Sequence, residues 1–178
     1  MELTERLRAE RALDSIHRTT DLRSLEWPAA ASRIRNARSR IGLDEADVAR
    51  RLGSSVHSYC DLEAYDDEAF NVATVRELVT LGQIVSVEPK VLLLGDEANG
   101  ITRTITFSDI AQRLARRMTD SGVTAEQLGD EIGFAVEPLL ASPEALWDYD
   151  IEGLYSICKA LNMDWVAALP DLATVRRD

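Results

Sequence analysis

Residues 34–53 read IRNARSRIGLDEADVARRLG, and residues 114–133 read LARRMTDSGVTAEQLGDEIG. At a constant offset of 80 they align glycine with glycine, Gly42 with Gly122 and Gly53 with Gly133, and apolar residue with apolar residue, Val48 with Leu128 and Leu52 with Ile132. The later parts fit with small gaps, LYSICKALNMDWVAALP resembling VRELVTLGQIVSVEPKVLLLG. Self-similarity of this kind marks a duplicated structural unit. Apolar residues recur at helical spacing in both copies, which predicts an all-α fold of two tandem helical domains.

Working outward, the first copy divides at its punctuation. A helix from Ala30 ends at Gly42, where glycine suits a C-terminal stop. Asp44 caps a second helix that closes at Gly53, and Ser54 or Ser55 caps a third, VHSYCDLEA. Asp66 to Phe70 reads as a loop, Asn71 as the cap of VATVRELVTLGQ, and Glu88-Pro89 as the opening of PKVLLLG. The expected core is Ile34, Val48, Leu52, Tyr59, Leu62, Val75, Leu78, Leu81, Val87 and Leu92. Ahead of this unit, Leu3, Leu7, Leu13 and Ile16 predict a helix over 2–18, with a short one from Leu22 to Trp27. Between the copies, ITRTITF (101–107) alternates β-branched and polar residues, as either a short strand or an extended linker would. The expected division is an N-terminal helical extension (1–29), a first domain (30–95), a linker or strand (96–107) and a divergent second domain (108–178).

The chain has 178 residues, 46% of them hydrophobic, enough to build cores. No apolar run approaches the roughly 18–20 residues of a membrane span, and the charged N-terminus lacks the apolar centre of a signal peptide. A cytoplasmic location is the expectation. Two cysteines and two histidines, widely spaced, do not form a metal-ligand pattern, so no metal or cofactor is expected. Cys158, within SICKAL, reads as a small buried hydrophobe. Neither a phosphate-binding glycine loop nor a nucleophile–base pair at workable spacing is present, so the chain does not read as an enzyme. The net charge of −11 opposes general nucleic-acid affinity, but it is uneven. Residues 1–60 hold 11 arginines against 9 acidic residues, whereas residues 61–178 hold 9 basic residues against 22 acidic ones. Any DNA-facing surface therefore belongs to the first third.

Arg35, Arg38, Gly42 and Leu43 at the exit of the first helix, Ala49 and Leu52 in the second, Gly53 and Ser55 in the turn, and Leu62 and Glu63 in the third form a recognisable set. Over residues 31–95 the chain resembles the Xre/Cro family of phage-repressor-like helix-turn-helix domains. The resemblance implies two divergent copies of that fold, with the third helix of the first copy in the DNA major groove. It implies base contacts from Ser55, Val56, His57 and Ser58, and phosphate contacts from Arg35, Arg38, Arg50 and Arg51. It also implies a sequence-specific transcription regulator that acts as a homodimer; the net charge of −11 makes weak DNA binding the expectation.

Several residues depart from the family pattern. Val56, His57 and Asp61 stand where its members commonly carry arginine, lysine, glutamine or threonine, and Tyr65 stands where glycine is frequent. In the second copy the counterpart of the third helix, FAVEPLLASPEAL, has no basic residue and is interrupted by Pro138. Its Phe134, Val136, Leu139 and Leu140 read as a protein-contact surface, covered by the first copy or by a second chain. The alternative to a DNA-binding regulator is thus a protein-binding module, an antiactivator, inhibitor or scaffold for another regulatory protein, that keeps the fold without the DNA.

Overall fold

A computed structural model of the chain describes residues 29–101 and 103–175, and these are helical throughout, joined by turns and short extended stretches. The helices expected over 2–18 and 22–27 lie outside the described residues. The first half contains α1 (Ala30–Arg40), α2 (Glu45–Leu52), α3 (Val56–Ala64), α4 (Glu68–Asn71), α5 (Val75–Val85) and α6 (Pro89–Leu94). A 3-10 turn, Asp96–Gly100, leads out of it. The second half contains α7 (Phe107–Ser121), α8 (Ala125–Ile132), α9 (Glu137–Ala141), a second 3-10 turn (Pro143–Asp148), α10 (Ile151–Ala160), α11 (Trp165–Ala168) and α12 (Leu172–Val175).

Local chemistry sets these boundaries. A helix leaves its first N–H groups without partners, and short polar side chains satisfy them. Asp44 accepts from the Asp47 N–H (2.7 Å) and Ser55 from the Ser58 N–H (3.0 Å). α1 has no cap of its own, and Asp66, far along the chain, accepts from the Ala31 N–H at 3.1 Å. Gly53 ends α2 at φ +78, a backbone state that costs a side-chain-bearing residue free energy and costs glycine little. The cap of α5 is Thr74 and not the expected Asn71, which instead lies in the short helix α4 where a loop was expected. Thr74 wins because Glu77, three residues on, bonds back to its N–H and completes a capping box.

Residues 101 and 103–106 form no strand, although Ile101 and Thr106 have extended backbone. Ile105 is buried and its N–H donates to the Ala167 carbonyl at 2.7 Å. A ladder would require a neighbouring extended segment, and none of the described residues supplies one. Thr106 caps α7 through a box with Asp109, which draws Phe107 into the helix.

Several elements and buried positions of the two halves correspond. α2 and α8 span the same residues at an offset of 80, and Ile34/Leu114, Val48/Leu128 and Tyr59/Leu139 are buried pairs at that offset. From α5 onward the offset is 76. Val75/Ile151, Leu78/Leu154 and Leu81/Ile157 are buried pairs, and Ser86 and Asn162, both non-glycine, share a left-handed backbone at φ 57 and 53. The packing pairs repeat as well. α3 lies on α1 and α2, with α5 on α2; α9 lies on α7 and α8, with α10 on α8.

One core runs through both halves. Of the residues expected in it, Leu52 and Val87 are half-buried and the other eight are buried. At the junction Phe70 sits edge-on to Tyr155 and Trp165, with ring centroids 5.9 and 6.0 Å away. Polar ties surround these rings. Arg76 pairs with Asp148 at 3.0 Å and lies over the Trp147 ring, Lys90 pairs with Asp171 at 3.0 Å, and Glu88 accepts from the Leu172 N–H at 3.0 Å. Cys158 is buried, and that burial, with Asp164 near, pushes its thiol up to about 12.

Candidate nucleic-acid interface

α3 is positioned by its inner face. Tyr59 and Leu62 are buried against α1 and α2, so the helix turns its first residues outward. Ser55, Val56, His57 and Ser58 are all exposed, and no acidic residue stands in this first turn. Val56 keeps 47% of its surface in solvent, and the His57 side chain keeps 90%. Ser55 and Ser58 share a hydroxyl–hydroxyl bond of 2.8 Å. The four candidate base-contact residues are therefore brought together on one exposed turn. One helical turn further on, Asp61 lies 3.8 Å from His57 Nε2, a separation that becomes an ion pair when the imidazole is protonated.

The four candidate phosphate contacts divide. Arg50 and Arg51 are exposed at the end of α2, with Arg50 Nη1 held 2.7 Å from Asp47. Arg35 is half-exposed and donates through Nη2 to the Glu63 carbonyl. Arg38 is not available. It is 9% exposed, and all three guanidinium nitrogens are engaged within the chain. Its Nε and Nη2 grip both Glu63 carboxylate oxygens (2.6 and 2.8 Å), Nη1 donates to the Leu43 carbonyl (2.9 Å), and Nη2 also reaches Glu45 (2.7 Å). Tyr59 Oη donates to the same carboxylate at 2.5 Å. Arg38 thus clamps α1 to α3, and its expected phosphate role is corrected.

These groups perturb one another. Burial alone would raise the Glu63 carboxyl, but hydrogen bonds from Arg38 and Tyr59 outweigh burial and hold it below the ordinary carboxylate range. The Glu63 hydrogen bond holds the Arg38 guanidinium charged, and burial together with the Glu63 bond raises the Tyr59 phenol. The family resemblance marks Glu63 without indicating this network. The signal for the network lay in spacing: Arg38 falls at i+4 from Ile34 beside Ala37, on the buried stripe of α1, and Tyr59 and Glu63 are i,i+4 on α3. Arg33, also on α1, donates to the Leu92 carbonyl at 3.0 Å and to the Leu93 carbonyl, tying α1 to the end of α6.

In the second half, Val136 and Leu139 are fully buried, while Phe134 and Leu140 are half-buried. The Phe134 ring lies against Gly153 of α10, where an added Cβ would meet it at 3.1 Å. The expected protein-contact surface is therefore corrected for Val136 and Leu139, which belong to the core, while Phe134 packs in part on its own half. α9, only five residues long, begins at Glu137-Pro138 and could not sustain an outward apolar helix face.

Among the described residues no cluster of three or more His, Cys, Asp or Glu is arranged to hold a metal ion. None of the described helices is long and apolar enough to cross a membrane. No family model matches the chain, and neither a curated protein nor a solved structure does so.

Proposed function

We propose that the chain is a sequence-specific DNA-binding regulator of the Xre/Cro type, built as two tandem helix-turn-helix domains of which the first touches DNA. In this reading α2, the turn at Gly53 and α3 form the helix-turn-helix, and the first turn of α3 enters the major groove. The observation that carries the reading is the outward cluster Ser55, Val56, His57 and Ser58 on a capped helix whose opposite face is locked into the core. The hydroxyls and imidazole offer donors and acceptors to base edges, and Val56 suits the thymine methyl group. Arg35, Arg50 and Arg51 supply phosphate contacts around it.

With so few cations the binding is weak and salt-sensitive. Fluorescence anisotropy against mixed genomic duplexes across a salt series measures it. Arg51→Ala weakens binding to all sequences alike and reduces the salt slope by about one. His57→Ala leaves the slope in place and shifts preference among sequences by about 1–3 kcal/mol per contacted base pair. Absence of binding at micromolar protein and low salt sinks the reading.

A protein-binding role is the second reading, and one feature favours it. α3 has no lysine or arginine, and Tyr65 at its end is 58% exposed and followed by Asp66 and Asp67. A partner with a basic, partly apolar groove would fit that surface.

A further inference from the structure

The two halves meet through equivalent residues. At the offset of 76, Ala73, Thr74 and Val75 correspond to Tyr149, Asp150 and Ile151. Thr74 and Asp150, the caps of α5 and α10, face each other in an isolated antiparallel bridge. The hydrogen bonds around them are reciprocal: the Val75 N–H donates to the Tyr149 carbonyl (2.8 Å), and the Ile151 N–H donates to the Ala73 carbonyl (3.1 Å). The flanking packing is reciprocal too. α4 lies on α10, while the second 3-10 turn, which contains the counterparts of α4, lies on α5. Phe70 and Leu146, one on each side, are the corresponding buried residues. An arrangement in which i meets j′ and i′ meets j has the form of a two-fold interface between identical subunits.

The surfaces on either side of this axis have diverged. At the offset of 80, Arg50 and Arg51 are replaced by Asp130 and Glu131, and Arg35 by Ala115. Exposed Val56 becomes buried Val136, and His57 and Ser58 become Glu137 and Pro138. The counterpart of the candidate reading turn thus carries acid where phosphate would lie, and one of its N–H groups is lost to proline.

We propose that the α5–α10 junction is an internalised two-fold interface, in which the second half fills the place of a second copy, so that the chain reads a single non-palindromic half-site of duplex DNA as a monomer. The single-site part rests on the DNA-binding reading. The homodimer expected from the family resemblance is replaced, within one chain, by this pairing.

The test uses the full chain, a randomised duplex library and sedimentation velocity. The expected result is a 19.8 kDa monomer, one chain per duplex, and an enriched motif without inverted symmetry. Adding an inverted second copy of the motif about 10 base pairs away then changes affinity per site by less than about twofold. A dimer that enriches an inverted repeat at that spacing, with two chains per duplex, overturns the inference and leaves the DNA-binding reading standing. No enriched motif and no duplex retained at low salt overturns the DNA-binding reading, and the single-site inference with it.

Discussion

Glu63→Ala lowers the unfolding free energy by about 3–5 kcal/mol, because it takes from the buried Arg38 guanidinium its two-oxygen partner and leaves only Glu45, on one nitrogen, to offset the charge. Tyr59 Oη loses its acceptor in the same step. Urea denaturation followed by circular dichroism reads the effect as a fall in midpoint, and an unchanged midpoint would show that Arg38 finds water or another acceptor. The second half indicates how the cost can be avoided. At the offset of 80, Met118 and Leu139 stand where Arg38 and Tyr59 do, and Pro143 stands at the Glu63 position. The same helix crossing is therefore built there without the charges. Combining Arg38→Met, Tyr59→Leu and Glu63→Leu should recover most of the loss, since well-packed apolar replacements of buried ion pairs are often neutral or stabilising. Acid acts on the same site. Glu63 is held below its ordinary value of 4.5, so its contribution to stability is complete above that pH and is lost as pH falls through the lower folded value. The wild-type chain should lose more stability below pH 4.5 than the apolar triple variant, as thermal melts across the acid range would show.

Phe70→Ala costs about 3–5 kcal/mol, the usual range for removing a buried aromatic side chain. Phe70 is 2% exposed and is the ring that α4 sends across the junction to Tyr155 and Trp165. Its loss opens a cavity between the halves and leaves the α5–α10 bridge with less apolar support. Val72→Ala, two residues on and largely exposed, should stay within about 0.5 kcal/mol and serves as the control. The diagnostic readout is cooperativity. A single urea transition in the parent that broadens or splits in Phe70→Ala locates the ring at the coupling between halves, whereas an equal shift with unchanged slope would make it an ordinary core residue.

Much of the helical layout was legible because its punctuation is local. Asp44, Ser55, Gly53 and Gly133 act at the positions where their chemistry suggests, and periodic apolar residues mark the inner faces. The failures have a common cause, which is that partners distant in sequence decide. Asn71 and Thr74 are both competent caps, and the choice fell to Glu77. The alternation at 101–107 favours an extended backbone, yet a strand also needs a neighbour, and the Ile101 and Ile105 N–H groups meet isolated acceptors, in Ala98 and Ala167, rather than a ladder. Phe134, Val136, Leu139 and Leu140 show their apolarity plainly, but nothing local says that Val136 and Leu139 belong to the core. Arg38 is the sharpest case: arginine type suggested the surface, while its register on α1 pointed inward. For the candidate site, the exposed residues of α3 followed from capping and periodicity, and only the structure separated the available arginines from the buried one.

Both faces of the α5–α10 junction belong to one polymer, joined through the segment between Gly95 and Thr106. Separate subunits obey mass action and part when diluted below their Kd. A tether instead holds one face near the other at an effective concentration on the order of millimolar, however few molecules are present. Lys90, which donates to the Ile101 carbonyl, and Ile105, which donates to Ala167, pin that tether at both ends and shorten its reach. The pairing of the two halves should accordingly not depend on dilution, and a cell making only a few copies should obtain the same paired architecture as one making thousands.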